Sequence, residues 1–158
     1  MTAYFPFWNF AAFPCKLNLL ANKLFEVDAS LLVELCPNLK YLKLDSCRHT
    51  TIWRGNNQKR FKPDFALNRL KTLKIRSCDE FHIPSEDLLC LLSTAHVLTN
   101  LSIIDCHSLT NKVLQQIMKS NSFSNLKRLV FDSCDSVTKK GIDLFMNAEN
   151  ALETISLP

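Results

Sequence analysis

The sequence predicts an α/β fold wound as a right-handed solenoid, a short horseshoe with parallel strands on its concave face and helices on its convex face. Three observations predict it. Four phrases fit L-x-x-L-x-L-x-x-C and end at Cys47, Cys78, Cys106 and Cys134. Two weaker copies flank them: one from Leu17 has Asn22 in the cysteine slot, and one from Leu152 stops at Pro158 before reaching it. Slot to slot the steps are 25, 31, 28 and 28 residues, and Leu126 to Leu152 is 26, so the repeat length suits one strand plus one helix.

Each element follows from the local pattern. Apolar residues alternate in Leu42/Leu44, Leu73/Ile75, Leu101/Ile103 and Leu129/Phe131, the mark of a short strand with one buried face. The Cys or Asn slot then turns the chain, cysteine as a small buried hydrophobe and asparagine through hydrogen bonds to the turn backbone. Between strands the apolar spacing becomes helical. Asp28 opens a helix carrying Leu31, Leu32, Leu35 and Cys36 that Pro37 stops. Pro84 suits a first helical position ahead of Leu88, Leu89, Leu91, Leu92 and Ala95. Thr110 caps a helix with Val113, Leu114, Ile117 and Met118, and Thr138 caps one with Ile142, Phe145 and Met146. A strand and a helix of this size bury their apolar faces only against neighbouring copies, so the units stack. The domain reading is an aromatic segment at 1–13, then a solenoid of six repeats over 14–158 with a basic insertion at 48–69.

Composition narrows the function. Of 158 residues, 26 are leucine and only two, Gly55 and Gly141, are glycine. Phosphate-cradling loops need several neighbouring glycines, so neither G-x-G-x-x-G nor a P-loop can be written, and nucleotide enzymes of those kinds are excluded. No basic n-region precedes Lys16, and no run reaches the roughly 18 apolar residues of a spanning helix. Seven cysteines without an export signal read as reduced thiols, which points to cytoplasm or nucleus and to no membrane.

The phrase C-D-S-V-T-K-K-G-I-D-L-F-M from Cys134 resembles the cysteine-containing class of leucine-rich repeat, and Cys106 with Leu109 and Thr110 follows it in part. Cys47 and Cys78 depart from it after the cysteine. The resemblance runs from Pro14 to the end. It implies kinship with the repeat region of F-box/leucine-rich-repeat proteins, the substrate receptors of cullin-type ubiquitin ligases in the ubiquitin conjugation pathway. No F-box is recognisable in M-T-A-Y-F-P-F-W-N-F-A-A-F-P. The chain stops just after a fresh strand, so the expectation is a fragment, a truncated gene model, or a stand-alone relative that partners in trans.

The exposed strand positions of a stacked solenoid form columns. The middle one reads Asn18, Lys43, Lys74, Ser102, Val130, Ser156; the next outward reads Leu20, Asp45, Arg76, Ile104, Asp132; the third reads Lys16, Tyr41, Thr72, Asn100, Arg128, Thr154. Nothing in them looks catalytic. Tyr41, Lys43, Lys74, Arg76, Ile104 and Arg128 are the expected partner-binding set, since aromatic and arginine anchors around a small apolar centre suit a protein interface. The bland counterpart is a solvated sheet face.

Charge is uneven. Residues 48–76 hold nine Lys/Arg against one acid, Asp64, while the rest carries ten basic and 14 acidic residues, so the overall +4 averages +8 with −4. Within the insertion, Arg54, Lys59, Arg60 and Lys62 interleave with Trp53, Phe61 and Phe65. Such a segment suits an acidic protein partner better than nucleic acid; a phosphorylated or nucleic-acid partner held there electrostatically is the alternative function. Tyr4, Phe5, Phe7, Trp8, Phe10 and Phe13 read as a cap over the first repeat, or as a contact left by an upstream domain.

Cysteine and histidine lie close at Cys47/His49, Cys78/His82, Cys90/His96 and Cys106/His107, but no C-x-x-C pair supports zinc. Cys90 and His96 fall on different helix faces, and Asp45 and Asp132 lie repeats apart, so no thiolate or paired-carboxylate mechanism assembles. The sequence reads as a protein-binding module and not an enzyme, with no cofactor, metal or small-molecule substrate.

Overall fold

A computed structural model describes residues 16–20, 38–45, 67–77 and 83–157. Along the chain run β1 (Lys16–Leu20), β2 (Tyr41–Asp45), β3 (Thr72–Arg76), α1 (Ser85–Thr94), β4 (Asn100–Ile104), α2 (Asn111–Ser120), β5 (Arg128–Asp132), α3 (Lys139–Met146) and β6 (Thr154–Ser156). The six strands form one sheet in the order β1-β2-β3-β4-β5-β6, and every neighbouring pair is parallel. This is an α/β architecture. The helix expected from Asp28, the aromatic segment 1–13, and Asn22, Cys47 and Cys78 lie outside the described residues, as does the insertion up to residue 66.

The predicted inward pairs form the core. Leu42/Leu44, Leu73/Ile75, Leu101/Ile103 and Leu129/Phe131 are all at most 1% exposed, and Leu39, Leu70, Leu98 and Leu126, which begin each phrase, join them. Against these pack Leu88, Leu91 and Leu92 of α1, Val113, Leu114 and Ile117 of α2, and Phe145 of α3. Each fully buried leucine or isoleucine contributes about 1.5–3 kcal/mol relative to exposure, so the alternating pattern fixes which strand face meets the helices.

Four carbonyls mark the period in the backbone. The oxygen of Lys40 accepts from the N–H groups of Lys71 and Thr72, that of Lys71 from Thr99 and Asn100, that of Thr99 from Lys127 and Arg128, and that of Lys127 from Glu153 and Thr154, all at 2.8–3.0 Å. Each of β3 to β6 therefore begins with two donors sharing one acceptor, the residue just ahead of the strand before. The chain turns one residue ahead of the expected place: Asp105 (φ 54°) and Ser133 (φ 51°) take the left-handed conformation just before Cys106 and Cys134. A short polar side chain tolerates that conformation better than a bulky one, which lets the next residue point inward. Both cysteines are buried, and the Cys134 thiol donates to the carbonyls of Ile103 at 3.5 Å and Asp132 at 3.4 Å.

Two of the three helix starts need adjustment. Thr110 caps α2 as expected, its hydroxyl accepting from Val113 N–H at 3.3 Å. Pro84 lies one position earlier than expected, before the first helical residue, with its carbonyl accepting from Leu88 N–H at 3.1 Å. Thr138 occupies the cap position of α3, but its hydroxyl accepts from Asn111 Nδ2 at 2.8 Å while its N–H donates to Asn111 Oδ1 at 3.1 Å. The amide of the preceding helix has captured the cap. The buried face of α3 also differs, since Gly141 and Phe145 are buried and Met146 is 60% exposed. Gly141 and Phe145 lie four apart, one above the other on the helix, and that stripe turns Met146 outward.

At the far end of α2, Asn121 is buried and links three segments. Its Nδ2 donates to the carbonyls of Leu92 at 2.8 Å and Ala95 at 3.1 Å, and its Oδ1 accepts from Phe123 N–H at 3.0 Å. This holds Phe123 at φ 51°, unusual for a bulky residue, and directs its ring against Phe145 with centroids 5.6 Å apart.

Candidate functional site

Successive strand residues point to opposite faces, so burying one alternate set leaves the other on a face that no described helix covers. The hydrogen-bonded register aligns this set into the three anticipated columns, with Asn18, Lys43, Lys74, Ser102, Val130 and Ser156 side by side in the middle one. All six predicted partner-binding residues, Tyr41, Lys43, Lys74, Arg76, Ile104 and Arg128, lie in these columns and none is buried.

The structure divides those six by their surroundings. Lys43 is engaged, its ammonium 2.7 Å from Asp45 Oδ2. Arg76 Nε stands 3.9 Å from Asp105 Oδ2, a looser pair. Tyr41 carries the Lys16 ammonium over its ring, 4.8 Å from the centroid. Lys74 and Arg128 form no ion pair among the described residues. Ile104 and Val130 are half-buried diagonal neighbours on β4 and β5.

Tyr41, Lys74 and Arg128 line an open depression of about 280 Å³ whose floor and walls include Thr72, Asn100, Ser102 and Val130. Lys43, Arg76 and Ile104 lie outside it. The polar floor was not in the expected binding set, because uncharged Asn100 and Ser102 do not look like anchors one at a time. Their signal is positional: they occupy the β4 places of the two columns that hold Arg128 and Lys74. The side chain of Asn100 is already engaged, donating to Thr99 Oγ1 at 2.9 Å.

Among the described residues, the thiols of Cys90 and Cys134 are held toward their protonated form. Cys90, on α1, has its thiol pKa raised by burial and then by Asp87, away from the thiolate a nucleophile needs. Burial pushes the Cys134 thiol up to about 11. Cys106 is buried while its neighbour His107 is exposed, 4.0 Å from Asp135 Oδ2, so the two point into different environments. Among the described residues no three His, Cys, Asp or Glu side chains gather as a metal site would require. No described helix is long and apolar enough to cross a membrane. Of the insertion residues, Arg54, Lys59, Arg60 and Lys62 lie outside the described set.

The described sheet face presents cations, an aromatic ring, hydroxyls and a small apolar patch side by side. Comparison with protein-family models, with curated proteins and with solved structures finds no match to this chain.

Proposed function

We propose that the chain is a protein-interaction module, a right-handed horseshoe of leucine-rich repeats that binds an acidic partner on its concave sheet face. The observation that carries this reading is the strand register, which brings residues from different repeats, Tyr41, Lys43, Lys74, Arg76, Ile104 and Arg128, onto one surface that no described helix covers. Repeat architectures use extended faces of this kind for binding. The resemblance of the repeat to that of F-box/leucine-rich-repeat proteins supports a role as the substrate-recognition part of a ubiquitin ligase receptor in cytoplasm or nucleus. The free thiols of Cys90, Cys106 and Cys134 accord with a reducing compartment.

The test is partner purification with paired variants. Proteins retained by the full chain are compared with those retained by Lys74→Glu/Arg76→Glu and by a helix-side control, Lys119→Glu on α2. A partner lost only with the sheet-face variant supports the reading; the same proteins recovered from all three oppose it. A second reading draws on the charge of residues 48–76, nine basic against one acidic. It makes the chain an electrostatic scaffold for a phosphorylated or nucleic-acid partner, and reversal of Arg54, Lys59, Arg60 and Lys62 would then abolish binding that also falls steeply with salt.

A further inference from the structure

We propose that the depression between Lys74 and Arg128 is a subsite for one phosphorylated serine or threonine side chain of an extended protein segment. The inference rests on the interaction-module reading above and names what the module recognises.

The argument begins with charge. Lys43 has Asp45 beside it, Arg76 has Asp105, and Lys16 covers the Tyr41 ring. Lys74 and Arg128 are the two cations at the depression, and neither has a carboxylate partner among the described residues. The register sets them around β4: Lys74 is beside Ser102, and Arg128 is beside Asn100. With strands about 4.8 Å apart and about 6.6 Å per two residues along a strand, their Cα atoms are separated by roughly 12 Å. Long flexible side chains from both edges can meet over the middle strand.

The ligand chemistry follows from what waits there. A phosphomonoester carries about −1.5 to −2 at neutral pH and three acceptor oxygens. The guanidinium of Arg128 offers a fork of donors for two oxygens, the Lys74 ammonium supplies a point charge, and the Ser102 hydroxyl is a further donor on the floor. A single carboxylate would leave one of the two cations unmatched. The depression, about 280 Å³ and open on one side, is larger than a phosphate group and leaves room for the side chain that carries it. Val130 provides an apolar wall for that side chain.

The experiment uses the full chain and three degenerate peptide sets that share random flanks and differ only at a central residue: phosphoserine, serine or glutamate. Binding is read by fluorescence anisotropy, with inorganic phosphate as competitor. The phosphoserine set should bind best, phosphate should compete, and Lys74→Ala and Arg128→Ala should each weaken binding by about tenfold. Arg128→Lys, which keeps charge and loses the fork, should recover only part of it. All these positions are exposed, and circular dichroism checks that the variants remain folded. If glutamate and phosphoserine sets bind equally and both alanine variants weaken them, the phosphate inference fails while the interaction face survives. If phosphoserine binding ignores both variants and disappears on reversal of Arg54, Lys59, Arg60 and Lys62, the inference and the sheet-face reading fail together. Absence of binding by every set overturns the subsite.

Discussion

The side-chain amide of Asn121 donates to the carbonyl of Leu92 at 2.8 Å, joining residues 29 apart in sequence. The same nitrogen reaches Ala95, so one asparagine satisfies two carbonyls at the end of α1 and, through its oxygen, the N–H of Phe123. Orphaning a buried polar group costs about 1–3 kcal/mol. Asn121→Ala should therefore lower stability by about 2–3 kcal/mol in urea unfolding followed by circular dichroism. Asn121→Asp, which puts an acceptor against two carbonyls, should be at least as damaging. A loss below about 0.5 kcal/mol for either would contradict this account of the junction.

Gly141 permits the close approach of α2 and α3. A methyl group there would collide with Asn111 Oδ1 and come within 3.1 Å of Leu114 Cδ1. The Asn111 oxygen is not free to move, because it accepts from Thr138 N–H while its amide nitrogen donates to the Thr138 hydroxyl. Gly→Ala inside a helix normally gains up to about 1 kcal/mol. Here two hydrogen bonds of about 1 kcal/mol each are at risk, so Gly141→Ala should be destabilising by roughly 1 kcal/mol. In an Asn111→Ala background the same change should turn neutral or stabilising, and a double-mutant cycle without that reversal would contradict the mechanism.

The Cys134 thiol gives the fold a pH dependence. The folded protein keeps its proton up to about pH 11, whereas an ordinary thiol releases it near 9.0. Its contribution is fully present below about pH 9 and is lost as pH rises through 11, by an amount on the order of 2 kcal/mol. The stability difference between the natural chain and Cys134→Ala should thus shrink between pH 8 and pH 10.5. Comparing the two proteins cancels the lysines and tyrosines that titrate in the same range, and a constant difference would argue against the shift.

Charge reversals on the sheet face should differ in their effect on folding. Lys43→Glu places a carboxylate beside Asp45 in a half-buried setting and should cost about 0.5–1 kcal/mol. Lys74→Glu removes an exposed cation that has no ion-pair partner among the described residues, and should stay within about 0.5 kcal/mol of the parent. Parallel thermal melts distinguish them. Lys74 is consequently the cleaner position for binding experiments, and equal losses at both positions would deny that distinction.

The strands and their register were legible because L-x-L alternation and the cysteine slot set the inward face and the alignment together. Leu73 and Leu101 could be paired from the sequence alone, and hence Lys74 with Ser102. Less legible was whatever depends on a neighbouring repeat's side chain. Thr138 looked like a simple cap until Asn111 of the previous helix took its hydroxyl, and Met146 looked inward until Gly141 let α3 settle with another stripe against α2. The columns were readable for the same reason as the strands. The split between engaged Lys43 and Lys74, which has no ion-pair partner among the described residues, was not, because it depends on where Asp45 directs its carboxylate.

The shared carbonyls of Lys40, Lys71, Thr99 and Lys127 have a consequence for changes in chain length. Excising residues 99–126, a stretch of 28, would bring the twin donors of Lys127 and Arg128 opposite the Lys71 oxygen, where Thr99 and Asn100 now stand. The join would satisfy the same acceptor with the same pair of donors. A deletion of half that length would set a helix where a strand must start. The protein can therefore gain or lose whole periods while keeping this backbone pattern, though the side-chain bridges of Asn111 and Asn121 would go with the excised stretch, and such a change would shorten or extend the sheet face by one row of side chains.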